Sequence, residues 1–333
     1  MWNFLKTLQK NLIWSIPLFM TLGLLFGWLF EPAFLKSWII PLTFLMVYPM
    51  MVTLNMKQLF KRGEGKLQLT ALLINFTITP FIGYFIGRLF FPDQPLLILA
   101  LLLTSLLPTS GMTISWTGFA KGNVPAAVKM TVVGLIVGSL ATPVYLKGLM
   151  GTAVEINLLE VFFQILFIVF LPLLLGWITQ KLLIKKAGQE KYEKKYKVRF
   201  PLFSTLGVLA IVFVSMALKA KAILADPQVL LYYFMPLILL YAINFLISTL
   251  AAKFLFKRED GIALVYGTVM RNLSIALALA IGIFGKQGSE IALIIALAYI
   301  IQVQAAAWYV KLTPRIFPIT QNTDNIETAA EQN

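Results

Sequence analysis

Residues 96–119 read LLILALLLTSLLPTSGMTISWTGF. The stretch has the length and apolarity of a bilayer-spanning helix, which takes about 20 residues. Its middle, Pro108-Thr109-Ser110-Gly111, interrupts that helix. Pro108 has no N–H to give and collides with the preceding turn. In hydrocarbon an unpaired amide has no water to turn to, so a break at that depth survives only where protein or a water-filled cavity covers it. The sequence therefore calls for a membrane span broken near its centre, with partners around the break.

Working outward, similar runs recur from Leu12 to Ala307: Leu12–Phe30, Trp38–Met56, Leu67–Phe91, Leu96–Phe119, Val124–Leu146, Ile156–Gln180, Phe200–Leu218, Val229–Phe254, Gly261–Phe284 and Ser289–Val310. They predict an all-α membrane protein of ten transmembrane helices. The chain of 333 residues is 59% hydrophobic and 13% charged, with a mean hydropathy of +0.84, too apolar for a water-soluble globule. The first run follows Lys6 and Lys10 as a signal peptide would, but it is long and lacks a small-x-small cleavage site, so a retained helix is expected. Residues 1–318 read as one transmembrane unit, and the polar stretch 319–333 as a disordered cytoplasmic tail.

The net charge of +14 is not the footprint of a nucleic-acid partner, because the basic residues sit in short loops between apolar runs. With the N-terminus inside, twenty of the 28 Lys and Arg residues fall on the cytoplasmic side and six outside, while Lys129 and Arg271 lie within spans. That asymmetry predicts cytoplasmic N- and C-termini in the plasma membrane. Five spans before Glu155 and five after it start on opposite sides of the bilayer, the arrangement of a five-plus-five inverted repeat. Cys and His are absent, and no Asp or Glu lies well inside a span. Disulfides, thiolate or imidazole metal sites, and an intramembrane hydrolase are thereby excluded or starved of groups. No catalytic residue, metal ligand or cofactor is expected.

The ninth run carries a second polar, helix-breaking patch, Gly267-Thr-Val-Met-Arg-Asn272. Broken spans four and nine would each restart near the midplane and present a positive helix end there. Thr109, Ser110, Thr113, Ser115, Thr268, Asn272 and Ser274 then surround the breaks at Pro108, Gly111 and Gly267 as substrate-binding candidates. Taken singly, each equally suits ordinary helix packing. Arg271 lies roughly 15 Å along its span, too deep to snorkel easily. Without a carboxylate partner it invites a substrate anion; the alternative is an Arg satisfied by carbonyls of its own broken helix. Lys129, about 9 Å into span five, is either snorkelled or, if buried, a proton-linked coupling residue.

The segments Pro108-Thr-Ser-Gly-Met-Thr-Ile-Ser-Trp116, Ala120-Lys-Gly-Asn123 and Met270-Arg-Asn-Leu-Ser-Ile-Ala276 resemble the superfamily of bile acid:sodium symporters and arsenite-efflux permeases. That resemblance implies a panel domain of spans one, two, six and seven, and a core of spans three to five and eight to ten. It also implies that broken spans four and nine cross in the core and that the whole works by alternating access. Sodium-coupled members have a Ser-Asn pair where this chain has Thr113 and Ile114, Glu and Gln where it has Gly267 and Arg271, and a small polar residue at the place of Lys129. In the arsenite branch a Cys falls on Thr109 and an acidic residue on Ser274.

A secondary carrier for a small organic anion is the expectation, with the lipid bilayer as its other partner. Fixed cations at Arg271 and Lys129 can do the electrostatic work of a bound sodium ion. A genuine sodium symporter, an arsenite permease and a non-transporting membrane scaffold are the alternatives.

Overall fold

The computed structural model describes residues 2–54, 64–151, 153–154, 157–225, 228–285 and 287–318. The stretch 319–333, read above as a disordered tail, lies outside them. The described residues are helical almost throughout. α1 (Trp2–Lys10) and α2 (Leu12–Leu29) lead into α3 (Ile39–Val52). α4 (Gly65–Leu73) and α5 (Thr79–Phe90) are joined by a π-helical turn, and α6 (Pro95–Leu106) is followed after a break by α7 (Gly111–Phe119). Next come α8 (Val124–Tyr145), α9 (Leu158–Ile165), α10 (Leu171–Ala187), the single turn α11 (Gln189–Lys191) and α12 (Lys197–Ala225). The chain ends with α13 (Gln228–Leu255), α14 (Arg258–Val269), α15 (Leu273–Phe284) and α16 (Gly288–Ile316).

Among the described residues, six helices are long and apolar enough to cross a membrane: Gly65–Phe90, Val124–Met150, Val161–Ala187, Gln189–Leu218, Leu230–Leu255 and Glu290–Ile316. The pair Trp2–Lys10 and Trp14–Leu29, bent by 100°, makes a seventh if the two are counted as one broken span. α6 and α15 are apolar but have only 12 residues each, roughly 18 Å of helix, too short to cross alone.

Burial sorts the helices by what surrounds them. Every side chain from Leu97 to Leu106 is buried, as is each from Gly261 to Val269 and from Ile275 to Ala280. A helix apolar all round and covered all round belongs to the interior of the bundle. The long helices around them turn Leu, Phe and Trp outward, as in Trp14, Leu18 and Leu25 of α2, Leu171 and Leu174 of α10, and Leu231, Met235 and Ile238 of α13. Such a continuous apolar exterior is stable against lipid, not water.

α12 lies along α2 and α3, and α10 along α3; α5 packs on α6, α13 on α14, α15 on α16, and α16 on α6. The junction of α4 and α5 shows how prolines are accommodated in lipid. Pro80 cannot donate to the carbonyl of Phe76 one turn earlier, and the hydroxyl of Tyr145 in α8 donates to that carbonyl instead.

Candidate functional site

The two breaks meet. Pro108 and Arg271 form an isolated antiparallel β-bridge, with Thr109 N–H donating to the Met270 carbonyl at 2.7 Å and Asn272 N–H to the Leu107 carbonyl at 2.7 Å. Each break thus satisfies backbone groups that the other's missing helical turn leaves open. Thr109 accepts a left-handed φ of 64° to do so, a conformation that costs a β-branched residue on the order of 1–3 kcal/mol. α8 comes close to the break through glycine: a Cβ at Gly134 would stand 2.8 Å from Thr109 Oγ1, and one at Gly138 3.0 Å from Pro108 Cδ.

The helix halves beyond the breaks start with their own caps. Ser110 and Thr113 make a capping box on α7: Ser110 Oγ accepts from Met112 N at 3.2 Å, and Thr113 Oγ1 accepts from Ser110 N at 3.0 Å. Asn272 caps α15, its Oδ1 accepting from Ile275 N at 3.3 Å. Three of the polar candidates therefore shape the ends of the half-helices. Thr268, fully buried, donates to Ser248 Oγ of α13 at 2.6 Å. Ser274 shares a 2.5 Å hydrogen bond with the Tyr299 hydroxyl of α16. Ser115 lies exposed on α7. Lys129 is half-buried on α8, one turn before Gly134. At Gly267 a side chain would meet Met130 Sδ, 2.3 Å from the Cβ position.

Arg271 is only 2% exposed. Its Nη1 donates to the Ser105 carbonyl of α6 at 3.3 Å and its Nη2 to the Thr268 carbonyl, while Nε is buried without a hydrogen-bond partner. The carbonyl-satisfied alternative from the sequence is thus partly realised, since carbonyls take two branches of the guanidinium and leave the third donor open. Among the described residues, the ion pairs observed are surface contacts such as Lys194 with Glu190 at 2.6 Å, and none includes Arg271.

The sequence reading missed Gln302. Its Oε1 accepts from Arg271 N at 2.7 Å and its Nε2 donates to the Arg271 carbonyl at 3.2 Å. The Tyr241 hydroxyl of α13 holds the same Oε1 at 2.9 Å. Two glutamines, Gln302 and Gln304, within an apolar run were the available signal. Among the described residues no three His, Cys, Asp or Glu side chains cluster as metal ligands.

Fold and site define the class: a multi-pass, all-helical integral membrane protein whose buried polar groups converge on two broken helices. The chain belongs to the Sodium Bile acid symporter family, whose model matches residues 39–226, more than half of the 333 residues. An arsenical-resistance protein, Acr3, of Corynebacterium glutamicum is 25% identical over 74% of this chain and 71% of its own length. Its namesake from Alkaliphilus metalliredigens is 24% identical over 82% of this chain and 80% of its own. The uncharacterized protein YbaS of Bacillus subtilis is 24% identical over 65% and 70%. The protein is accordingly a secondary transporter of the bile acid symporter and arsenite permease type, not an enzyme.

Proposed function

We propose that this carrier moves a small organic anion across the plasma membrane without needing sodium. One observation carries the reading: a guanidinium at the meeting point of two broken helices, 2% exposed, with a buried Nε that has no partner. A desolvated cation with an open donor favours an anion strongly. The positive ends of α7 and α15 add to that field, and Thr109, Ser110, Thr113, Ser115, Thr268, Asn272 and Ser274 are the polar groups proposed to orient the solute. Access to so buried a donor requires neighbouring helices to move, which suits alternating access.

The residues at the span-nine break fit a sodium ion poorly. The guanidinium itself occupies the Ser105 and Thr268 carbonyls, and the thioether of Met130 fills the space beside Gly267, where a hard cation needs oxygen. We assign Lys129 to coupling, through a proton or a counter-solute.

Ten spans underlie this reading, with α6 and α7 forming span four and α14 and α15 span nine, related as an inverted repeat with cytoplasmic termini. The packing of α2, α3, α10 and α12 supports a panel, and that of α5, α6 and α13–α16 a core. A second reading, arsenical efflux, is favoured by the two Acr3 relatives; the absence of Cys opposes it, since As(III) prefers thiolate.

Flux in reconstituted vesicles tests both. Uptake of a radiolabelled carboxylate with no sodium on either side is expected. Carboxylate flux that always requires sodium, or arsenite flux alone, would overturn the reading.

A further inference from the structure

The backbone of Arg271 has two sides. In an extended segment, consecutive N–H and C=O groups point alternately to either edge. Met270 C=O and Asn272 N–H point toward the first break, so Arg271 N–H and C=O point the other way. No strand of the described residues lies there. Both groups instead meet the carboxamide of Gln302, fully buried on α16, which accepts from one and donates to the other at 2.7 and 3.2 Å. This side chain stands in for a third strand. The Tyr241 hydroxyl donates to the same Gln302 Oε1 at 2.9 Å and so holds in place the amide whose ends the Arg271 N–H and C=O have selected.

We propose that Gln302, oriented by Tyr241, is the positioning residue of the carrier's anion site. Its amide holds the φ and ψ of Arg271, and with them the direction in which the guanidinium leaves the backbone. The inference rests on the anion-carrier reading for its function, but not for its geometry. Arg271 and Gln302 are both buried away from bulk solvent, so bulk water does not take the place of the amide at these two groups. Removing the amide therefore leaves Arg271 free to rejoin one helix half or the other.

The experiment uses the full chain in detergent with 15Nε-labelled arginine, compared as wild type, Gln302→Leu, Tyr241→Phe and Arg271→Gln. The Arg271 Nε–H resonance is the one lost in Arg271→Gln. It should exchange slowly in wild type, and at least tenfold faster, with a shifted resonance, in both other variants. In parallel, the affinity for the carboxylate that most stabilises wild type, chosen from acetate, pyruvate, succinate and benzoate, should weaken at least fivefold in Tyr241→Phe. The melting temperature of that variant should change by only a few degrees. A purely structural role would lower the melting temperature while leaving the exchange rate and resonance of Arg271 unchanged in the folded protein, and would overturn the proposal. Tyr241→Phe decides the matter if Gln302→Leu does not fold. Failure of every carboxylate to stabilise wild type would sink the carrier reading alone, since the resonance test needs no ligand.

Discussion

Thr109 donates its backbone N–H to the carbonyl of Met270 across 2.7 Å, tying together two helix breaks that lie 161 positions apart in sequence. That hydrogen bond and its companion from Asn272 to Leu107 pair backbone groups that the two breaks would otherwise leave open. The left-handed conformation of Thr109, φ 64°, is the strain that the pairing imposes.

Thr109→Gly should keep the bridge and shed that strain, partly offset by the greater freedom of glycine in the unfolded chain. Stability equal to wild type or higher by about 1 kcal/mol is expected. Thr109→Pro loses the N–H and forces φ to the opposite sign, so it should not yield folded carrier. Thermal melts of both variants in detergent check this, and a marked loss of stability in Thr109→Gly would show that the hydroxyl, not the backbone, holds the break.

Gly134→Val should lower stability by about 1–3 kcal/mol through overpacking, because its Cβ would sit 2.8 Å from Thr109 Oγ1 and 3.5 Å from the Pro108 carbonyl oxygen. Gly148→Ala is the matched control. Nothing lies within 4 Å of a Cβ there, and its melting temperature should stay within a degree or two of wild type.

Asn123, in the turn between α7 and α8, ties three chain segments at one face of the bundle. Its Nδ2 donates to Glu64 Oε1 at 3.1 Å and to Asp260 Oδ1 at 2.7 Å, its N–H reaches the Glu259 carbonyl at 2.9 Å, and its Oδ1 caps α8 through Ala126 N at 3.0 Å. Asn123→Ala removes the cap and leaves two carboxylates sharing no donor. A loss of about 1–2 kcal/mol is expected, larger than for a cap alone. Asn123→Asp keeps the cap acceptor but adds a third carboxylate, and it should be at least as damaging at neutral pH as Asn123→Ala. Melts at matched ionic strength distinguish the two.

Much of this was legible in the sequence because hydrocarbon leaves few options. Pro108 in an otherwise unbroken apolar run had to be a covered break, and Arg271 at comparable depth had to have partners. The partners themselves were not legible. Polar periodicity does not say which face of α16 looks at the break, so Gln302 read as one more polar residue in an apolar helix. Ser110, Thr113 and Asn272 were visible as polar groups near helix ends, but only the φ and ψ of their neighbours make them caps. Ser115 shared their composition and lies exposed, because two residues beyond Thr113 a helix has turned by about 200°. The π-helical turns share no sequence signature: the one at Ile74–Ile78 comes just before Pro80, whereas the one at Leu146–Met150 is followed by Gly151.

The proposed role of Arg271 is to supply the positive charge of the site, in place of sodium. It is tested most directly by thermal stabilisation of the purified protein with small carboxylates, each with and without sodium, in wild type and Arg271→Gln. At 100-fold excess over its dissociation constant a ligand should add about 2.7 kcal/mol of stability. The account predicts that stabilisation in sodium-free buffer for wild type, and its loss in Arg271→Gln with the fold intact. Stabilisation by sodium alone, by carboxylates only when sodium is present, or undiminished in Arg271→Gln would contradict it.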